Sequence, residues 1–301
     1  MRKISVIVFS LFLLVIWSCE KEPTGAFQIS LANKVWITDS DIESYDFSSQ
    51  LIYLKQDNLM TANPSQFFRY YKGPFEVQLD GRKIYEGNFH ASYASTMPFG
   101  AYISVPQFYS RDIIHIAYSD TSTSNLYDPR NDNQVISVMK KLGLYRAGLS
   151  CTIDEIKVNK NEQNLNTSEV QFTFTVKNND PVNYYIPDPD LMGNELFHYF
   201  TNGLYFVNPE SKRFYSYKGN STSPQPWDDW KTEWLYLLKK GEQISRTMTL
   251  QKYEYISPGE YSCSFSYPGL SHRISKDERS QANGKIWMGN ISATKIIQIK
   301  E

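Results

Sequence analysis

The chain has 301 residues, 41% hydrophobic and 21% charged, a balance that excludes a disordered polypeptide and suits one large β domain or two ordinary ones. Its 31 basic and 32 acidic residues leave a formal net charge of −1, too little field to draw in a polyanion, so nucleic acid is not an expected partner. Aromatic residues reach 15%, led by 22 Tyr and 17 Phe; rings of this kind pack well on pleated surfaces and also suit a surface that stacks on sugars or peptides.

At the N-terminus, Met1-Arg2-Lys3 is a short basic start, and residues 4–17 form an apolar run broken only by Ser5 and Ser10. At a rise of about 1.5 Å per residue, this run is too short for a hydrocarbon core of about 30 Å, which points to a signal segment and not a stable span. It ends in Ile16-Trp17-Ser18-Cys19, which resembles the bacterial lipobox: a branched apolar residue, a free position, a small residue, then cysteine. The resemblance implies a signal peptide over 1–18, diacylglycerol and an amide-linked palmitate-type chain on Cys19, and attachment to a membrane. Two or more acyl chains hold a protein firmly, at about 0.8 kcal/mol per buried CH₂. The other reading is an ordinary secretory signal in which Cys19 is incidental. Residues 19–25, with Glu20-Lys21-Glu22-Pro23-Thr24-Gly25, form a polar tether ending in turn-formers. The lack of Asp after the cysteine resembles outer-membrane sorting, and the charged cluster resembles the tag that places some lipoproteins on the cell surface.

Strand-like runs dominate residues 26–147, at 50–55, 75–79, 82–89, 101–105 and 112–118. Asp80-Gly81 between two of them is a hairpin signal, because glycine accepts the positive φ that tight turns need. One stretch breaks the pattern. Asp132 is placed to cap a helix in which Val135, Ile136, Met139 and Leu142 form an apolar stripe, with Lys140 and Lys141 late and Gly143 as the stop. We expect this helix at the junction of two modules, with the boundary at 147/148.

Residues 148–301 show seven candidate strands, at 152–158, 169–177, 203–208, 213–217, 243–250, 261–267 and 292–299, which suggests a sandwich. Val170, Phe172, Phe174 and Val176 alternate with polar residues, the mark of a half-buried strand. Pro258-Gly259-Glu260-Tyr261-Ser262-Cys263 resembles the start of strand F in immunoglobulin-like domains, where a tyrosine ties back to nearby backbone two residues before a core cysteine. Together with Lys177-Asn178-Asn179 it also resembles bacterial Ig-like modules of the BsuPI proteinase-inhibitor family. The expected fold is therefore all-β, with two sandwich-like modules and one short helix.

No catalytic residue, metal or cofactor is assigned. His90, His115, His198 and His272 are scattered, without ligand spacing, and there is no G-x-S-x-G elbow. With Cys19 lipidated, Cys151 and Cys263 remain. An oxidising compartment permits a disulfide between them, whereas strands in different sheets leave two separate thiols. Asp188-Pro189-Asp190 with Asn194 and Glu195 offers oxygens for Ca²⁺ or simply a rigid loop. Trp227, Asp228, Asp229, Trp230 and Trp234 form the leading surface candidate: flat faces for stacking on sugar C–H groups, with carboxylates for hydroxyls. The same Trp230 and Trp234, spaced i to i+4, would equally pin a short segment to the sandwich. The expected role is a non-enzymatic binding or assembly protein of the cell envelope, with membrane lipid and a glycan or protein as partners. A glycan hydrolase and a BsuPI-like proteinase inhibitor are the alternatives.

Overall fold

Alternating apolar and polar residues make strands throughout the chain. In the first half these are β1 (Phe27–Leu31), β2 (Lys34–Thr38), β3 (Ile42–Asp46), β4 (Leu51–Leu54), β5 (Phe75–Leu79), β6 (Arg82–Ala91), β7 (Gly100–Val105), β8 (Ile113–His115) and β9 (Ala117–Ser119). The computed structural model describes residues 25–32, 34–57, 73–119, 127–160, 166–201, 203–219, 223–224, 229–270 and 274–300. One sheet runs β2-β1-β5-β6-β7-β9, and a second joins β3, β4 and β8. Between them lies a core that includes Phe27, Ile29, Phe75, Val77 and Ile103 from the first sheet and Ile42, Tyr45, Ile52 and Ile114 from the second. The Asp80-Gly81 hairpin forms as expected, with both residues at positive φ (51° and 76°).

The predicted helix is present as α1 (Asn133–Lys141), its first turn capped by the Asp132 carboxylate, which accepts from the Gln134 amide at 2.8 Å. Val135, Val138 and Met139 bury its stripe in the first core, so the helix belongs to the first module and ends where the chain turns toward the second. After Gly143, at φ 72°, β10 (Tyr145–Arg146) lies parallel beside β3. The chain then crosses over at Gly148. A Cβ there would stand 2.0 Å from Ser48 Oγ and 2.2 Å from Asp46 Oδ1, so only glycine fits the passage.

The second half contains β11 (Leu149–Lys160), β12 (Thr167–Asn178), β13 (Tyr184–Pro187), β14 (Leu204–Val207), β15 (Phe214–Tyr215), β16 (Leu235–Leu238), β17 (Gln243–Glu254), β18 (Gly259–Pro268), β19 (Ser280–Gln281), β20 (Gly284–Ile286) and β21 (Asn290–Ile299). Sheets β11-β12-β17 and β15-β14-β18-β21 face one another, and a third, β16-β13-β20-β19, joins them. Val170, Phe172, Phe174 and Val176 of β12 meet Cys263, Phe265 and Tyr267 of β18 in one apolar core. Tyr261 is buried, and its hydroxyl donates to the Ser257 carbonyl at 3.0 Å, the tie to backbone expected at the start of that strand.

Among the described residues, three α-helices went unread in the sequence: α2 (Pro189–Met192), α3 (Asn194–Thr201) and α4 (Lys276–Arg279). Each of α2 and α4 carries a local signal. Pro189 follows the capping Asp188, and Ser275 with Glu278 makes a reciprocal capping box.

Candidate functional site

The two modules meet along a seam, and most of what the second module contributes comes from a single excursion, residues 274–288, between β18 and β21. At its apolar centre Leu51 and Ile113 of the first module pack with Leu235, Leu270, Ile274, Ile286 and Met288 of the second. Polar contacts surround this patch. Arg279 forms a two-pronged ion pair with Asp112, both side chains nearly sealed from solvent at 7% and 3% exposure. The same guanidinium donates to Ser110 Oγ and the Ile274 carbonyl and lies over the Tyr53 ring, 5.6 Å from its centre.

Asp46, only 2% exposed, is the second fixed point. Its Oδ1 accepts from the Ser48 amide (2.9 Å) and hydroxyl (2.7 Å), and its Oδ2 accepts from Ser49 Oγ and from Trp287 Nε1, both at 2.9 Å. Burial pushes this carboxyl up from its ordinary value, against the bonds from Ser48, Trp287 and Ser49. Glu43 is the third. Lys276 reaches its Oε2 at 2.6 Å and Lys285 its Oε1 at 2.7 Å. Burial alone would raise its pKa, but the two lysine hydrogen bonds outweigh that and hold it at about 2.

Between these fixed points opens a cleft of about 60 Å³, walled by Tyr53, Val182, Tyr184 and Ile286 and edged by Ser44, Arg146, Lys276 and Lys285. None of its charged residues was singled out from the sequence. They lie far apart in the chain, and no local spacing announces them. The capping box at Ser275 was the one legible pointer to the excursion that supplies them.

The residues that the sequence did single out are dispersed. Cys19, Trp227, Asp228 and His272 lie outside the described residues. Trp230 and Trp234 are half-buried against the apolar centre of the seam, and the Trp234 carbonyl accepts from the Asp188 amide at 3.0 Å. Trp234 also packs near Phe200, with ring centres 6.1 Å apart, and Lys231 lies 5.8 Å from its ring centre. Asp229 is half-buried.

The suggested disulfide is corrected: Cys151 and Cys263 are free thiols. They stand on strands of opposite sheets, Cys263 inside the core, and burial pushes both up to about 12, so neither is a reactive thiolate near neutral pH. The idea of Ca²⁺ at Asp188 also gives way. That carboxylate is 1% exposed, caps α2, and is taken up by Arg246, whose Nε and Nη2 donate to it at 2.8 and 2.6 Å. No group of three metal-ligating side chains occurs among the described residues. No helix among them is long and apolar enough to cross a membrane. No protein-family model, curated protein or solved structure matches the chain.

Proposed function

We propose that this chain is a bacterial lipoprotein, acylated on Cys19 and held at the outer membrane, that serves as a non-enzymatic binding or assembly module for a glycan or protein of the cell envelope. The observation that carries the binding part is the seam. An anchored module has to present a fixed surface, and here a buried ion pair, a Trp–Asp hydrogen bond and an apolar centre lock two sandwiches around one composite cleft. The half-buried Trp230 and Trp234 pack against the same apolar centre.

A hydrolase is the second reading, and one feature favours it. Glu43 and Asp46 line one cleft with their pKa values pushed in opposite directions, the pattern of a carboxyl pair that divides acid and base roles. Both oxygens of each are already occupied, however. Asp46 accepts four donors, among them an indole N–H, and Glu43 is gripped by two ammonium groups. The four donors fill the acceptor sites of Asp46, and the two ammonium groups neutralise Glu43 and tie it to the seam, which favours binding over turnover.

Two measurements test the proposal in the full chain. Cys19→Ala should abolish incorporation of labelled palmitate; incorporation equal to wild type refutes the anchor. An array of envelope glycans and outer-membrane proteins should show saturable capture without product formation. Release of shortened glycan would favour the hydrolase instead.

A further inference from the structure

The hydrogen-bond inventory of the seam cleft is lopsided. Every carboxylate oxygen on its walls is engaged, whereas several donors are not. Lys276 Nζ uses two of its three protons, on Glu43 and on the Lys55 carbonyl, and Lys285 Nζ uses one, on Glu43. Arg146 donates only through Nη1, to the Gly143 and Tyr145 carbonyls, so its Nε and Nη2 have no partner and the group no counter-charge among the described residues. The Ser44 hydroxyl on the same wall is likewise unpartnered among them.

The charges are arranged in the same sense. Four cations on the lining, Arg146, Lys276, Arg279 and Lys285, stand against two carboxylates, Glu43 and Asp46. Arg279 is matched by Asp112. Asp46 lines the cleft but is buried and already accepts four donors, and Asp180, buried outside the lining, is occupied by the Ala147 amide and the Tyr184 hydroxyl. They temper the field at the edge without offering it a free acceptor. What an incoming group meets is unused N–H and O–H, so it must bring acceptors and negative charge. Size narrows the choice. A water needs roughly 10–15 Å³ of such space, so a cleft of about 60 Å³ holds a cluster of a few heavy atoms and not a sugar ring.

We propose that the seam cleft binds one anionic group, a carboxylate or a phosphate, on the unused donors of Arg146, Lys276 and Lys285, while the rest of the ligand lies outside. This deepens the binding reading and rests on it, but it does not depend on the lipid anchor. Arg146 takes the group with its planar fork, and the lysines add point charge on the facing side. The group comes either from an acidic sugar or from a phosphorylated one.

The test is calorimetric titration of the full chain in detergent with two probes, glucuronate alone and inorganic phosphate alone. At least one should bind saturably, one per chain, and more weakly as salt is raised. The arm that binds identifies the source. Arg146→Gln should weaken binding about tenfold or more, the scale expected when a charge-assisted hydrogen bond of ~1.5–3 kcal/mol is lost. Lys285→Gln, at a half-exposed position that threatens folding little, should weaken it several-fold. Glu43→Gln should tighten it, because the two lysines are released to the ligand. Failure of both probes, an unaffected Arg146→Gln, or weaker binding by Glu43→Gln would each overturn the proposal. Capture of a neutral glycan on the array with no binding of either anion would remove the anionic site and leave the binding reading standing.

Discussion

The core of the second module and the seam between the modules both take side chains out of water, yet they are built from opposite materials. The core is rings and branched side chains: Phe172, Phe174, Phe265 and Tyr267 interlock, with Phe174 and Phe265 centred 4.7 Å apart. The seam is small in apolar area and is stitched by ions and polar hydrogen bonds. An apolar core draws its stability from the removal of surface from water and tolerates approximate shape. A buried ion pair draws little net stability, because desolvation offsets most of the Coulomb gain, but it is unforgiving of a missing partner. The two regions therefore differ less in how strongly they hold than in what they specify. The core makes a sandwich, and the seam fixes how one sandwich sits on the other.

The sharpest break of that comparison is in the core. Tyr261→Ala should destabilise the second module by about 3–5 kcal/mol, since a fully buried ring and its bond to the Ser257 carbonyl are lost together. Denaturant unfolding measures it. A loss near that of an exposed site, under about 0.5 kcal/mol, would mean that this ring does not anchor the strand.

The seam should respond differently to single and paired changes. Arg279→Met alone should cost about 3–5 kcal/mol, because it strands the Asp112 carboxylate in a buried site without its counter-charge. Arg279→Met combined with Asp112→Leu should recover most of that loss, since an apolar pair fits the neighbouring patch of Leu51, Ile113 and Ile274. A double-mutant cycle read by unfolding gives the coupling directly. Additive losses, with no recovery in the double variant, would show that the pair is not what holds the two charges in place.

The same contrast explains what could be read from the sequence. Strand β12 announces itself because Val170, Phe172, Phe174 and Val176 are spaced by two, and the sheet has the same period. Helix α1 announces itself through Asp132, its apolar stripe and Gly143. Seam partners have no such period. Asp112 and Arg279 are 167 positions apart, Asp46 and Trp287 are 241 apart, and Glu43 and Lys285 are 242 apart. Each is an ordinary polar residue in its local window, and only the docking of the two modules makes it special. The Trp227–Trp234 segment is the reverse case. Its composition is conspicuous, but the half-buried Trp230 and Trp234 are partly occupied by the seam itself.

The smallest expected effect is the dependence of the seam on pH, and it isolates Glu43. Its pKa falls from an ordinary 4.5 to about 2 in the folded chain. A depressed carboxyl contributes stability above its unfolded pKa and loses it as pH falls toward the folded one, so the Glu43 contribution should fade between about pH 4.5 and 2. Asp46, raised by burial, has the opposite sign: acid favours its folded form. Every other carboxylate also contributes to acid unfolding, so the whole-protein curve says little about Glu43. The difference between wild type and Glu43→Gln removes those shared contributions, Asp46 included. Wild type should be the more stable of the two at pH 6, and the gap in Tm should close as pH drops through the window. The gap should be modest, because the Glu43 side chain is 31% exposed and solvent screens its two lysines. A gap that stays constant down to pH 2.5 would mean that the lysines hold Glu43 by packing and not by charge.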